Sequence, residues 1–142
     1  MDIKQVIVIR TKFPDGHGGT TGVRKGKLIA QGAHASMAFL INRIRKSLLT
    51  PFDEATLDEL LEISVAEKEW LEGSFAKVTL QVDTEEDLQK VYQDAKDANL
   101  MVELIVDSGR TEFDGVPTAT CLAIGPDDAE KIDVVTGDLR LY

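Results

Sequence analysis

Lys27, Gln31 and His34 stand at i, i+4 and i+7 within residues 26–36, GKLIAQGAHAS. At about 100° per residue they share one stripe of a helix, among the small or apolar Leu28, Ile29, Ala30, Ala33, Ala35, Met37 and Ala38. A polar edge beside solvent explains that stripe as readily as a site does. A second candidate is DSGRT, residues 107–111, directly after the apolar run MVELIV. Lysine, histidine, aspartate and threonine together suit ester hydrolysis. Asp107 or His34 could serve water as a base. Lys27 or a hydroxyl could donate to the oxyanion that develops on a carbonyl. No serine or cysteine lies in a nucleophile-elbow pattern, so direct attack by water is simpler than a covalent route. Asp-Ser-Gly is also an ordinary turn sequence.

Charge is unevenly spread. Residues 1–47 hold nine Lys/Arg and two acids, a balance of +7; the other seven Lys/Arg face 23 acids, a balance of −16. Such asymmetry suits a polyanion meeting one face, although basic helix ends and acidic surfaces also segregate for no such reason. Arg24, Lys25 and Lys27 precede or open the first helix, where the dipole is already positive. Cations and unpaired backbone N–H groups at one place make an anion site. The single cysteine, Cys121, allows no internal disulfide and sits in the apolar run TATCLAIG, as a small core residue would. His17, among glycines with only Asp15 nearby, is a weak metal signal and is expected in solvent. No apolar run reaches the ~18 residues of a membrane span, and no export signal is visible, so a cytoplasmic setting is expected.

The elements that must position these groups follow from hydrophobic periodicity. Residues 4–10, KQVIVIR, read as a strand buried on both faces. Residues 11–23 are punctuated too densely by Gly and Pro for helix or strand and read as a long loop. The first helix should run to about residue 47. A second is expected to start at Thr50-Pro51-Phe52-Asp53, with Leu57, Leu60, Leu61, Val65 and Leu71 inward and Asp58, Glu59, Glu62, Glu67, Glu69 and Glu72 in solvent. Strands are predicted over 75–82, 101–106 and 118–124. A helix capped by Thr84 should bury Leu88, Val91, Tyr92, Ala95 and Ala98 and stop at Asn99. A last short helix is expected to start at Pro126-Asp127-Asp128. Alternating strands and helices predict an α/β layered domain with a mixed sheet, in which functional groups gather where strands end in loops.

At these residues the chain resembles the archaeal/eukaryotic-type (class II) peptidyl-tRNA hydrolases. GKLIAQGAHAS, DSGRTEF and IGPDDAEKIDVVTGDLRLY look like that family's three signature segments, and KQVIVIR and KVTLQVDTEEDLQKVYQDAKDANL resemble it as well. The resemblance implies one domain over residues 1–142, with a four-stranded mixed sheet sandwiched between helices, often as a homodimer. It implies cleavage of the ester between peptide and tRNA, with peptidyl-tRNA as partner, no membrane, and no metal or organic cofactor. Matched motif by motif, the catalytic lysine falls on Lys27, the acid on Asp107, and the functional threonines on Thr111 and Thr120. His34 matches the motif histidine, with packing open beside catalysis. Arg24, Lys25, Gln31 and Arg110 are the residues expected to meet tRNA. The chain departs from the family in its long 11–23 loop, its acidic 48–72 region, and Glu112 with the following FDGVPT loop. Those departures sustain a second reading, a divergent non-catalytic tRNA-binding module, and a third, a protein-interaction domain using the acidic helix.

Overall fold

The computed structural model describes residues 2–48 and 61–142. Strand β1, Ile3–Arg10, is buried almost throughout. It forms the middle of a five-stranded sheet with β4 (Lys77–Val82), β5 (Val102–Asp107), β6 (Thr118–Asp128) and β7 (Arg140–Leu141), in the order β5-β6-β1-β4-β7. β1 is parallel to β4 and antiparallel to β6; β5–β6 and β4–β7 are antiparallel. The sheet is thus mixed and lies between helices, as expected, but among the described residues it has five strands rather than four. LRLY supplies the fifth as an edge strand of only two residues, too short for an alternation to show.

Helix α1, Lys25–Leu48, and α2, Val65–Glu72, cover one face; α3, Glu85–Asp97, and α4, Ala129–Thr136, cover the other. Under α3 and α4, Val6, Val8, Leu80, Val82, Leu122 and Ile124 meet Leu88, Val91, Ala95 and Ile132. On the α1 face Ile7, Ile9, Cys121 and Ala123 pack against Ala35. The two faces of β1 are therefore both core, which is why its apolar run is continuous. Buried Gln5 fixes α1 on the sheet: its Nε2 donates to the Ser36 carbonyl at 2.9 Å, and Ser36 Oγ donates back to Oε1 at 2.6 Å.

Three sequence expectations are corrected. Residues 11–23 are not loop throughout: β2, Phe13–Pro14, pairs with β3, Thr20–Thr21, as a small hairpin. Asp15 tightens its tip by accepting from the N–H groups of His17 and Gly19. Strand β6 runs through Gly125 and Pro126, and its final residue, Asp128, caps α4 by accepting from the Glu130 N–H at 2.9 Å. The third correction concerns the acidic region. The expected helix start at Thr50-Pro51 lies outside the described residues, but helix does not continue through residues 61–64. Helix α2 begins at a Ser64/Glu67 capping box. The new start changes the buried face: Val65 is 80% exposed, while Trp70 and Glu67 are buried. Glu67 is no solvated charge; it forms a two-pronged pair with Arg43 of α1, at 2.6 and 2.7 Å. Burial alone would raise the Glu67 carboxyl, yet the bonds from Arg43 and Ser64 hold it below its ordinary value.

Candidate active site

Lys27 lies in the first turn of α1, a turn without an acidic residue. Asp107 ends β5 and Thr111 lies in the turn beyond it. The Lys27 ammonium donates to Asp107 Oδ1 at 2.8 Å and to Thr111 Oγ1 at 3.1 Å. Gln31 Nε2 donates to the same carboxylate oxygen at 3.3 Å, and the Gly109 N–H donates to Oδ2 at 2.9 Å. The side chains of Lys27 and Asp107 are only 12% and 11% exposed, so their attraction is screened less than a surface pair's. The hydrogen bond from Lys27, reinforced by those from Gly109 and Gln31, holds the Asp107 carboxyl below its ordinary value despite partial burial.

The turn that presents Thr111 requires glycine. Gly109 has φ +82°, and a Cβ there would collide with the Val116 backbone, whose N and carbonyl C would stand 2.7 Å away. The Gly115 N–H, donating to the Gly109 carbonyl at 2.9 Å, closes the loop.

Thr120 reaches the site through a β-bulge. Register passes from Ile105↔Cys121 to Val106↔Ala119, leaving Thr120 unpaired on β6. By alternation Thr120 would lie on the α3 side with Leu122; the bulge turns it toward α1 beside Cys121. There its hydroxyl donates to Gln31 Oε1 at 2.6 Å. Gln31 therefore links Thr120 to Asp107. It is only 4% exposed, so its amide faces the cluster rather than the surface where tRNA contact was expected. Cys121 is core, as expected: it donates to the Gln31 carbonyl at 3.2 Å, and burial pushes its thiol up to about 12.

His34 is brought close to neither Lys27 nor Asp107 by any hydrogen bond among the described residues. It is exposed, further along α1, and borders a cleft with Asn42, Arg45, Glu103 and Val106. Arg24 is ion-paired with Glu112 across the mouth of the site, with its side chain 76% exposed. Glu112, a departure expected to add negative charge, thus has that charge opposed. Lys25 and Arg110 are exposed and make no ion pair among the described residues. His17 is exposed, as expected. Among the described residues no three His, Cys, Asp or Glu stand together as metal ligands, and no helix is long and apolar enough to cross a membrane.

Sequence reasoning missed an aromatic stack beside the site. Phe113 lies 5.7 Å from Lys27 Nζ, Phe13 packs on Phe113 at 5.0 Å between centroids, and the Arg10 guanidinium sits 4.4 Å over Phe13. The available signal was Phe13 itself, the one aromatic residue in the polar stretch 11–22.

A mixed α/β sheet in which a strand end and the turn after it set an aspartate and a hydroxyl against a lysine in the first turn of a helix has the parts for acyl-ester hydrolysis by water. A family model described as peptidyl-tRNA hydrolase PTH2 matches residues 3–142. A peptidyl-tRNA hydrolase of Methanothermobacter thermautotrophicus is 36% identical over 140 residues, covering 98% of this chain and 99% of its own length. Another, from Methanopyrus kandleri, is 38% identical over 139 residues, covering 97% of each. One from Methanocaldococcus jannaschii is 34% identical over 139 residues, covering 98% of this chain and 99% of its own. The chain belongs to the peptidyl-tRNA hydrolase PTH2 family.

Proposed function

We propose that this protein hydrolyses the ester that joins a peptide to the terminal ribose of tRNA, by direct attack of water. The observation that carries the reading is the three-way contact of Lys27, Asp107 and Thr111 in a chain of this family. Asp107 Oδ2 accepts one N–H, so it retains capacity to accept from a water. That water attacks the ester carbonyl carbon while Asp107 takes its proton. The Lys27 ammonium stabilises the oxyanion that forms, and Thr111 orients water or ester. The tetrahedral adduct then collapses, the bond to the ribose oxygen breaks, and the proton held on Asp107 passes to that oxygen. Gln31 and Thr120, buried behind the carboxylate, act as positioning residues. Asp107 is favoured over His34 as the base because it alone contacts Lys27. The same cluster favours an enzyme over a binding module.

On this reading the exposed Arg110 and Lys25 meet phosphates, with Arg24 joining if tRNA displaces Glu112. Neutralising phosphates releases counterions, so substrate affinity should fall as salt rises. The test is release of peptide from N-blocked aminoacyl-tRNA by purified protein with EDTA present. Turnover is expected; none from folded protein would remove the reading.

We read the protein as acting in the cytoplasm, where its substrate arises, and as a homodimer. The dimer reading is supported by an apolar groove of about 770 Å³ between α1 and the β4 side of the sheet, rimmed by the exposed Ile29, Met37, Phe75 and Tyr142. Sedimentation is expected to show twice the chain mass; a monomer at micromolar concentration would refute it.

A further inference from the structure

The 11–23 hairpin and the FDGVPT loop are far apart in sequence, yet they touch beside the catalytic lysine. Phe13 is 2% exposed although it belongs to an otherwise exposed hairpin. Two side chains pack on its ring: the Arg10 guanidinium at 4.4 Å and Phe113 at 5.0 Å between centroids. Arg10 is itself held: its Nε donates to the Lys12 carbonyl at 2.9 Å, and its NH1 to the Ala119 carbonyl at 3.1 Å. The series Arg10–Phe13–Phe113–Lys27 therefore runs from a fixed guanidinium to the ammonium of the site.

We propose that Phe113, held from behind by Phe13, positions the Lys27 ammonium between Asp107 and Thr111. The face of an aromatic ring within about 6 Å attracts a cation. Lys27 has a flexible four-carbon stem, and Asp107 and Thr111 fill two of the three donor positions of its ammonium. Phe113, with its ring centroid 5.7 Å from Nζ, attracts the ammonium without offering an acceptor that would compete for the donor needed by the oxyanion. The hairpin then has a role at the site: it delivers Phe13 as the backing for Phe113. Phe113 does not touch the reacting atoms, so its effect belongs in kcat rather than in substrate affinity.

The inference rests on the role given to Lys27 above, and the experiment separates the two. Steady-state turnover of N-blocked aminoacyl-tRNA is measured for Phe113→Leu, Phe113→Tyr, Phe13→Leu and the Phe13/Phe113 double leucine variant, with Lys27→Ala alongside. Leucine keeps apolar bulk, so the fold is retained, and thermal unfolding checks this. A cation–ring attraction of ordinary size corresponds to a loss of about two- to tenfold in kcat for Phe113→Leu with KM unchanged. Phe113→Tyr, which keeps the ring, is expected to retain wild-type kcat. Phe13→Leu is expected to give a loss that does not multiply with that of Phe113→Leu. Wild-type kcat in Phe113→Leu, or a change in KM alone, would overturn the proposal while leaving the lysine's role intact. Undiminished turnover in Lys27→Ala would instead remove the role on which it rests.

Discussion

Lys27→Ala is expected to lower kcat by about 10²–10³-fold, the usual consequence of removing one donor from a developing oxyanion. The structure gives the loss two sources. Among the described residues the ammonium is the only cation bonded to Asp107, and it donates to the Thr111 hydroxyl. Truncation removes the charge that would meet the oxyanion and leaves a largely buried carboxylate without its counter-ion. Lys27→Arg should not restore the rate, because a planar guanidinium cannot occupy the same point between Oδ1 and Oγ1. Single-turnover hydrolysis separates this effect from tRNA binding, which Lys25 and Arg110 should sustain. An arginine variant with wild-type kcat would show that only charge is needed.

Asp107→Asn should cost about 10²–10⁴-fold in kcat, the range for loss of a positioned base. The amide is nearly isosteric, so the fold should persist, but its NH₂ would oppose a donor at Lys27, Gln31 or Gly109. The pH profile carries a sharper expectation. Chiefly through the Lys27 bond, the carboxyl is held below its ordinary value. Its charged form therefore persists as pH falls past about 3.9, the free aspartate value. The sign follows for stability: the contribution of this group is fully present above the unfolded value and is lost as pH falls through the lower folded value. For kcat/KM, no acid inflection from Asp107 should appear above about 4. An imidazole base would generally place an inflection near about 6.5. An inflection there that His34→Ala abolishes would move the base from Asp107 to His34. In Lys27→Met the Asp107 inflection should rise toward the ordinary range.

Local signals were legible where a single physical cause governs them. Thr84 caps α3 by accepting from the Asp87 N–H; Asn99 stops it with φ +57°; Cys121 is core. Residues were misread where the cause lies elsewhere in the chain. Glu67 looks like any acid on a charged helix face until Arg43, 24 positions earlier, is brought against it. β7 is too short to show a period and exists because β4 offers it an edge.

The sequence by itself determined the layered α/β class, the family, and the placing of a lysine, an aspartate and a threonine in motifs next to strand and helix ends. Those properties reside in periodicity and in short-range spacing. Only the tertiary structure decided how the groups meet. The bulge opposite Ile105 and Val106 turns Thr120 toward Gln31, and the burial of Gln31 makes it an internal bridge rather than a surface contact. Glu112 opposes Arg24, and Phe13 packs against Phe113. Each depends on register or on contacts between segments far apart in the chain, and no local pattern of residues encodes where a distant segment will come to rest.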